Sequence, residues 1–345
     1  MTNSEIVLQT KNLTKSFGTL TAVDDLSLEV YGGEVFGFLG PNGAGKTTAI
    51  NLICGLLKPD AGQVFIHGKP VGGAGVKDGE AEIRARVGVC PQNTILWDKL
   101  TCLEQLEFIG EMYSMPRKLA RRRGSELLEI LGLAEKRQRL ASTLSGGMKR
   151  RLNQALALVH DPEIVVLDEP EAGLDPQSRV LVREYIKSLA TARDAAANDA
   201  GARGARAKTV ILTTHNMDEA DRMADRVGII DRGKLLVLDT PAALKQRLGQ
   251  GDTVEIKLEN GLAGSLAESG ASEAKARLAL QDIASDVKLE AEANILHVRA
   301  LHALGRLADI LQALTAAGFH PGEVSLRANT LEDVFIQLTG RRLRE

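Results

Sequence analysis

Gly40-Pro41-Asn42-Gly43-Ala44-Gly45-Lys46-Thr47 is an unbroken G-x-x-x-x-G-K-T, the pattern of a phosphate-binding P-loop. Its setting agrees with its chemistry. Val35-Phe36-Gly37-Phe38-Leu39 before it reads as a strand, and Thr48-Ala49-Ile50-Asn51-Leu52-Ile53-Cys54 after it as a helix. Between such elements, glycines let backbone N–H groups curl round a phosphate, and the helix N-terminus adds the positive end of its dipole. Lys46 is then placed to reach β- and γ-phosphates, and the Thr47 hydroxyl to bind Mg²⁺. Asn42, Gly43, Gly45 and Thr48 complete the expected cradle.

Moving outward, the chain of 345 residues has room for two domains and a sizeable core. Hydrophobic residues make up 44% and charged residues 26%, as in an ordinary globular protein. A formal net charge of −2 gives no global pull toward nucleic acid or anionic lipid. Aromatic content of 3% argues against a base-stacking surface, so no nucleic-acid partner is expected. No apolar stretch approaches the ~18 residues of a membrane helix. Met1-Thr2-Asn3-Ser4-Glu5 lacks the basic start of a signal peptide. Cys54, Cys90 and Cys102 lack metal-ligand spacing and read as reduced core thiols of a cytosolic protein.

Ile6–Thr10, Leu26–Val30 and Gln63–His67 read as strands, with a turn at Asp60-Ala61-Gly62. Lys69 to Glu80, rich in Gly and polar residues, reads as a surface loop. From Thr101 to Leu144 the pattern turns helical. Glu163–Leu167 and Thr209–Thr213 read as buried parallel strands flanking a helix from Gln177 to Ala190. The Ala-, Gly- and charge-rich stretch from Ala192 to Lys208 reads as a flexible insertion. Val227–Ile230 and Leu235–Leu238 form a hairpin through Asp231-Arg232-Gly233-Lys234. Composition changes near Gly249-Gln250-Gly251. Strands at Thr253–Leu258, Val287–Glu290, Ile295–Val298 and Val324–Leu326, with helices at Ala303–Ala316 and Thr330–Leu338, then suggest a small α+β appendage.

Two further segments carry chemistry. Ile164-Val165-Val166-Leu167-Asp168-Glu169 is an apolar strand ending in two carboxylates, a Walker B pattern. Asp168 would hold Mg²⁺ directly or through water. Glu169 would polarise the attacking water, a contribution of about 10²–10⁴-fold for a general base. Leu144-Ser145-Gly146-Gly147-Met148 comes shortly before that strand. A Ser hydroxyl and Gly amides at a helix N-terminus make a second anion site.

This order of motifs resembles the ATP-binding cassette (ABC) ATPases, whose signature sequence is usually Leu-Ser-Gly-Gly-Gln; Met148 stands here where Gln is commonest. The resemblance implies that Ser145, Gly146 and Gly147 grip the γ-phosphate of ATP held by a second copy. It also implies that Gln92 is the metal-sensing Q-loop residue and Asp175 the D-loop residue at the dimer interface. His215 corresponds to the switch histidine on the γ-phosphate, and Phe17 to the ring stacked on adenine. Thr94 to Met115 would form the face docking on membrane helices. Glu171 stands where Thr or Ser is usual.

The implied fold is α/β, a P-loop NTPase with a RecA-like core, an antiparallel β subdomain and a helical subdomain, plus a small C-terminal α+β domain. The cassette is expected over residues 1–245, its helical subdomain over about 92–150, and the second domain over 250–345. Asp239–Lys245 and Asn329–Gly340 resemble the corresponding parts of daunorubicin-resistance-type exporter ATPases. The resemblance implies ATP and Mg²⁺ as cofactors, a homodimer closed by ATP, and an integral-membrane permease subunit as partner. It places the chain on the cytoplasmic face of the cell membrane. A soluble ABC ATPase acting on ribosomes or DNA, or a regulatory subunit that binds ATP without hydrolysis, stand as alternatives. One cassette per chain, the absence of an inserted coiled coil, and the presence of Glu169 and His215 weigh against them.

Overall fold

The computed structural model describes residues 5–73, 76, 79–191, 207–247, 251–259, 266–290, 293–301 and 303–340. The chain divides into two compact units, one running to Pro241 and the other starting at Ala242. In the first unit, β1 (Ile6–Phe17), β2 (Leu20–Tyr31) and β3 (Val35–Leu39) lead into helix α1 (Lys46–Ile53). After β4 (Ala61–Ile66), β5 (Lys69–Gly73), α2 (Gly79–Arg86) and β6 (Val87–Cys90) comes a helical layer. It comprises α3 (Cys102–Met112), α4 (Arg117–Ile130) and α5 (Gly146–Leu158). The unit finishes with β7 (Ile164–Asp168), α6 (Pro176–Thr191), β8 (Thr209–Thr214), α7 (Met217–Met223), β9 (Arg226–Asp231) and β10 (Lys234–Asp239).

Strands β9, β3, β8, β7 and β6 run parallel, and β10 turns back antiparallel at the edge, in the order β10-β9-β3-β8-β7-β6. Every residue of β3, β7 and β8 is buried, as the continuous apolar runs predict for parallel strands covered on both faces. Alternate side chains then serve different layers. Val165, Leu167, Val210 and Leu212 pack with residues of α3 to α6, such as Leu106, Leu128, Leu152 and Ile186. Phe36, Phe38, Ile164, Val166 and Ile211 pack with α1 and with the antiparallel sheet β2-β1-β4-β5. Each such side chain contributes about 1.5–3 kcal/mol by leaving water. The two layers therefore clamp the sheet from both sides and set the carboxyl ends of its strands along one edge.

The hairpin between β9 and β10 turns on Arg232 and Gly233, whose φ of 49° and 79° suit a type I′ turn. Its tip buttresses the P-loop. The Gly233 amide donates to Ala44 O at 2.9 Å, and the Gly233 carbonyl accepts from Asp24 N at 2.9 Å. Helix α3 starts on a capping box, with Thr101 and Glu104 satisfying each other's backbone amides.

Lys69 to Glu80 departs from the expected loop. Lys69–Gly73 pairs as an edge strand on β4, and Gly79 already opens α2. Edge position lets Pro70 and two glycines sit in a strand, and Val71 alone is buried deeply. Residues 192–206 of the expected insertion lie outside the described residues; Lys208 returns to the core by donating its amide to Leu189 O. The three cysteines are buried and free. Burial pushes the Cys54 thiol up to about 12 and that of Cys90 to about 11, so neither is a thiolate near neutral pH.

The second unit holds α8 (Pro241–Arg247), β11 (Asp252–Leu258), α9 (Leu266–Ala279), β12 (Asp286–Glu290), β13 (Ile295–Ala300), α10 (Leu307–Ala316), β14 (Pro321–Arg327) and α11 (Leu331–Thr339). Its sheet is antiparallel with order β12-β13-β11-β14. From β11 to β14 this is two interlocked split β-α-β units, the ferredoxin-like arrangement. Val254, Ile256, Leu296 and Val298 face Ala276, Leu280, Ile310 and Leu314 in one core. Helix α9 is absent from the sequence expectation because its stretch is dominated by Ala, Ser and Glu, and Ala276 and Leu280 are its contribution to that core. The helix expected from Ala303 starts at Leu307, after a turn.

Helix α11 is pinned through Asp333. This side chain closes a capping box with Thr330 and accepts from Arg299 and Arg327 at 3.1 and 3.2 Å. Burial works against its ionised form, but the Thr330 hydroxyl and amide and the two guanidiniums outweigh it and hold the carboxyl below its usual range. Asp333→Ala is therefore expected to weaken α11 by about 1–2 kcal/mol, read as faster amide exchange in that helix. A folded value below the unfolded one contributes stability above the ordinary Asp range, about pH 4. The difference between parent and variant should thus be full at pH 7 and close as pH falls below that range.

Candidate active site

The carboxyl ends of β3, β6, β7 and β8 bring together most of the residues singled out in the sequence, as expected for ligand sites on open α/β sheets. The P-loop leaves β3 and enters α1 with Gly43 at φ 79° and Gly45 at φ 102°. At Gly45 a side chain is also excluded by space, since a Cβ would stand 2.2 Å from Ala22 O. Lys46 is buried, and its Nζ donates to Gly40 O at 2.7 Å and Pro41 O at 3.0 Å. Burial lowers its pKa, opposed by the charges of Glu169 and Asp168. The ammonium therefore closes the loop over the place that an anion would take.

A groove of about 700 Å³ opens over this loop. Phe17, Asn42, Gly43, Gly45, Lys46, Thr47, Thr48, Gln92 and Glu169 all line it. Phe17 is 51% exposed, a ring with one face free for stacking, and Lys15 Nζ lies 5.6 Å from its centroid. Leu20, Thr21, Ala22, Arg232 and Gly233 also line the groove. These were not evident from sequence, because the strand pairings and the hairpin that bring them there lie far from the loop in the chain.

Next to the loop, the Thr47 hydroxyl donates to Asp168 Oδ2 at 3.1 Å. The other carboxylate oxygen, Oδ1, accepts from the Thr213 hydroxyl. Thr213 also receives the Glu169 amide on that hydroxyl at 3.0 Å. The register of β7 with β8 explains this, since Asp168 stands opposite Thr213. Glu169 turns out of β7 at φ 50°, a conformation that costs of order 1 kcal/mol or more for a residue with a side chain. Its two oxygens are both engaged. Gln92 Nε2 donates to Oε2 at 3.0 Å, and His215 Nδ1 lies 2.8 Å from Oε1. The His215 side chain itself is half exposed.

Ser145, Gly146, Gly147 and Asp175 form a second group and do not line the groove over their own P-loop. The Ser145 hydroxyl caps α5 by accepting from Met148 N at 3.3 Å. A Cβ on Gly147 would lie 3.9 Å from Asp175 Oδ2, so signature turn and D-loop adjoin. Asp175 caps α6 through the Ser178 amide and hydroxyl, at 2.9 and 2.7 Å, and these bonds hold its carboxyl below the usual range. Glu171, where Thr or Ser is usual, is fully buried and takes a two-pronged ion pair from Arg183 at 3.0 and 2.8 Å. Nearby, Thr214 donates to Glu219 at 2.7 Å, and burial raises the pKa of that carboxyl.

The chain is similar to known proteins. The family model described as "ABC transporter" matches residues 23–172. The linearmycin resistance ATP-binding protein of Bacillus subtilis (strain 168) is 36% identical over 341 residues, 98% of this chain and 100% of that protein. The daunorubicin resistance ATP-binding protein of Streptomyces coeruleorubidus is 35% identical over 96% of each chain. A Nod factor export ATP-binding protein I of Ralstonia nicotianae is 35% identical over 98% of this chain and 95% of its own length. Among solved structures, a dimeric bacterial ABC transporter cassette superposes with a TM-score of 0.59 at 26% identity, covering 68% of this chain and 98% of the cassette. An ATP-binding subunit of an ABC transporter gives a TM-score of 0.60 at 25% identity, over 70% of this chain and 92% of that one.

The exposure of Phe17 separates binding from stability. Phe17→Ala should weaken ATP binding by about 10-fold, the order of one base–aromatic stack. It should leave the melting temperature unchanged. Titration with a fluorescent ATP analogue and a thermal melt check the two halves of this expectation.

Proposed function

The chain belongs to the ABC transporter family, as an ATP-binding subunit that hydrolyses ATP, and from that membership we propose how its residues do this and what they serve. The P-loop amides and Lys46 hold the phosphates, while Phe17 takes the adenine. Thr47, Asp168 and the amide oxygen of Gln92 offer a hydroxyl, a carboxylate and an amide oxygen, a hard-oxygen set that fits Mg²⁺. Once bound, that ion neutralises charge on the phosphoryl oxygens.

Glu169 is the general base that takes a proton from the attacking water. The observation that carries this role is the double engagement of its carboxylate, by Gln92 on one oxygen and His215 on the other. Two contacts fix the orientation of the base, and each comes from a different strand end. Each oxygen keeps a second lone pair, so a water can join while both contacts stay. The Q-loop and the switch histidine are thereby placed to report on the γ-phosphate. With Nδ1 directed at the carboxylate, His215 keeps Nε2 for that phosphate.

A second copy completes the site. Ser145, Gly146 and Gly147 stand at the N-terminus of α5, away from their own groove, where they can grip a nucleotide on another molecule. Two copies related by C₂ symmetry satisfy this twice, and ATP then holds the closed pair together.

The partner that this closure drives is an integral-membrane subunit. Among the described residues no helix is long and apolar enough to cross a membrane. At the helical layer, a cleft of about 340 Å³ is lined by Ile95, Trp97, Ile109, Tyr113 and Leu156. Ile95 and Met112 are 63% and 65% exposed, and Trp97 meets Phe108 edge-on at 5.3 Å. Such an aromatic-walled cleft suits the apolar face of a short helix. The chain would then sit at the cytoplasmic face of the membrane. The resistance and export functions named for its relatives favour an exporter.

Glu169→Gln tests the chemistry. It should cut ATP turnover by about 10²-fold or more while ATP still binds, so that an ATP-bound dimer accumulates in gel filtration. Unchanged turnover would remove Glu169 from its role.

A further inference from the structure

Arg150 lies on the first turns of α5, five residues after the Ser145 cap, and only 4% of it is exposed. Its guanidinium meets four backbone carbonyls on two separate strand ends. Nη1 donates to Pro91 O at 2.8 Å and Gln92 O at 2.5 Å. Nη2 donates to Asp168 O and to Glu169 O, the latter at 2.8 Å. Two neighbours on the same helical face extend the contact. Asn153 Nδ2 reaches Cys90 Sγ at 3.2 Å, and Gln154 Nε2 donates to Pro170 O at 2.9 Å.

Pro91 and Gln92 follow the end of β6, Asp168 is the last residue of β7, and Glu169 follows it. Asp168 and Glu169 are buried. The Glu169 carbonyl also accepts from the Ala172 amide at 3.1 Å and the Pro91 carbonyl from Asn153 Nδ2 at 3.5 Å, so a buried acceptor such as Asp168 O would cost about 1–3 kcal/mol without its donor. A planar fork with five N–H groups spans both exits at once; a lysine ammonium is a single point and cannot. The side chains of the held residues, Gln92 and Glu169, bond to each other at 3.0 Å. One guanidinium thus sets the backbone of both partners in that bond.

We infer that Arg150 is a positioning residue. It fixes Gln92 and Glu169 relative to the Ser145 turn, so that a tilt of α5 reaches the base and the Q-loop through one buried side chain. This rests on the proposed role of Glu169 and adds a link that the role does not require. Arg150 touches backbone only, so nucleotide affinity is not its business. Its effect is on chemistry after binding.

The test uses the full chain with MgATP, in Arg150→Lys and Arg150→Gln. Equilibrium binding of a fluorescent ATP analogue, single-turnover hydrolysis at excess protein and thermal melts are measured in parallel. Nucleotide affinity should stay within about twofold, while the single-turnover rate falls by about 10²-fold in Arg150→Gln, the scale of a misplacement near 1 Å. Arg150→Lys, able to reach one strand end, should lie between. Two results overturn the inference. One is a hydrolysis rate within twofold of the parent in both variants. The other is affinity and rate falling together, which reduces Arg150 to a part of the scaffold. A parent that hydrolyses no ATP would instead sink the proposed function, and the role of Arg150 with it.

Discussion

Two carboxylates stand at the end of a strand that is buried on both faces, and the first unit is arranged around their charge. Asp168 and Glu169 are both buried, and unpaired ions there would cost several kcal/mol each. The order of the sheet supplies the partners. Flanking β6 and β8 bring Gln92, Thr213 and His215 to the same edge, and β3, one strand further on, brings Lys46 and Thr47. A chain that moved β7 to the edge of the sheet would lose half of this set. Sheet topology and site chemistry are in this sense one solution.

The two faces of the sheet divide the mechanical work. On one side, α1 and the antiparallel sheet pack a continuous apolar layer against the P-loop strand, and the β9–β10 hairpin braces the loop from outside. On the other side, α3 to α6 share a second layer, and α5 belongs to both that layer and the strand exits. The Ser145 turn at the α5 N-terminus and the Glu169 carboxylate at the end of β7 are therefore joined by one helix.

Local patterns made the P-loop, the acidic strand end, the signature turn and the I′ hairpin legible, because each needs particular residue types at fixed short spacing. Pairing across distance hid the rest. Thr213 reads as one more residue of a buried strand until its register with Asp168 is known. Arg150 sits inside a basic triplet, and nothing in Lys149-Arg150-Arg151 says which of the three turns inward. Strand β5 was concealed by Pro70 and its glycines, which only an edge tolerates. Helix α9 was concealed by small residues that carry little amphipathic signal. The ring of Phe17 was legible as a candidate only through the order of the other motifs.

The pairing of Glu171 with Arg183 has a consequence for how this sequence can change. Glu171 has no exposed side-chain surface, while Arg183 keeps 21% of its own. Losing Arg183 first strands a buried acid, at about 3–5 kcal/mol. Losing Glu171 first frees an arginine that can swing into water at little cost. A lineage drifting toward Ser or Thr at the D-loop must therefore give up the acid before the base, and the reverse path is closed to it.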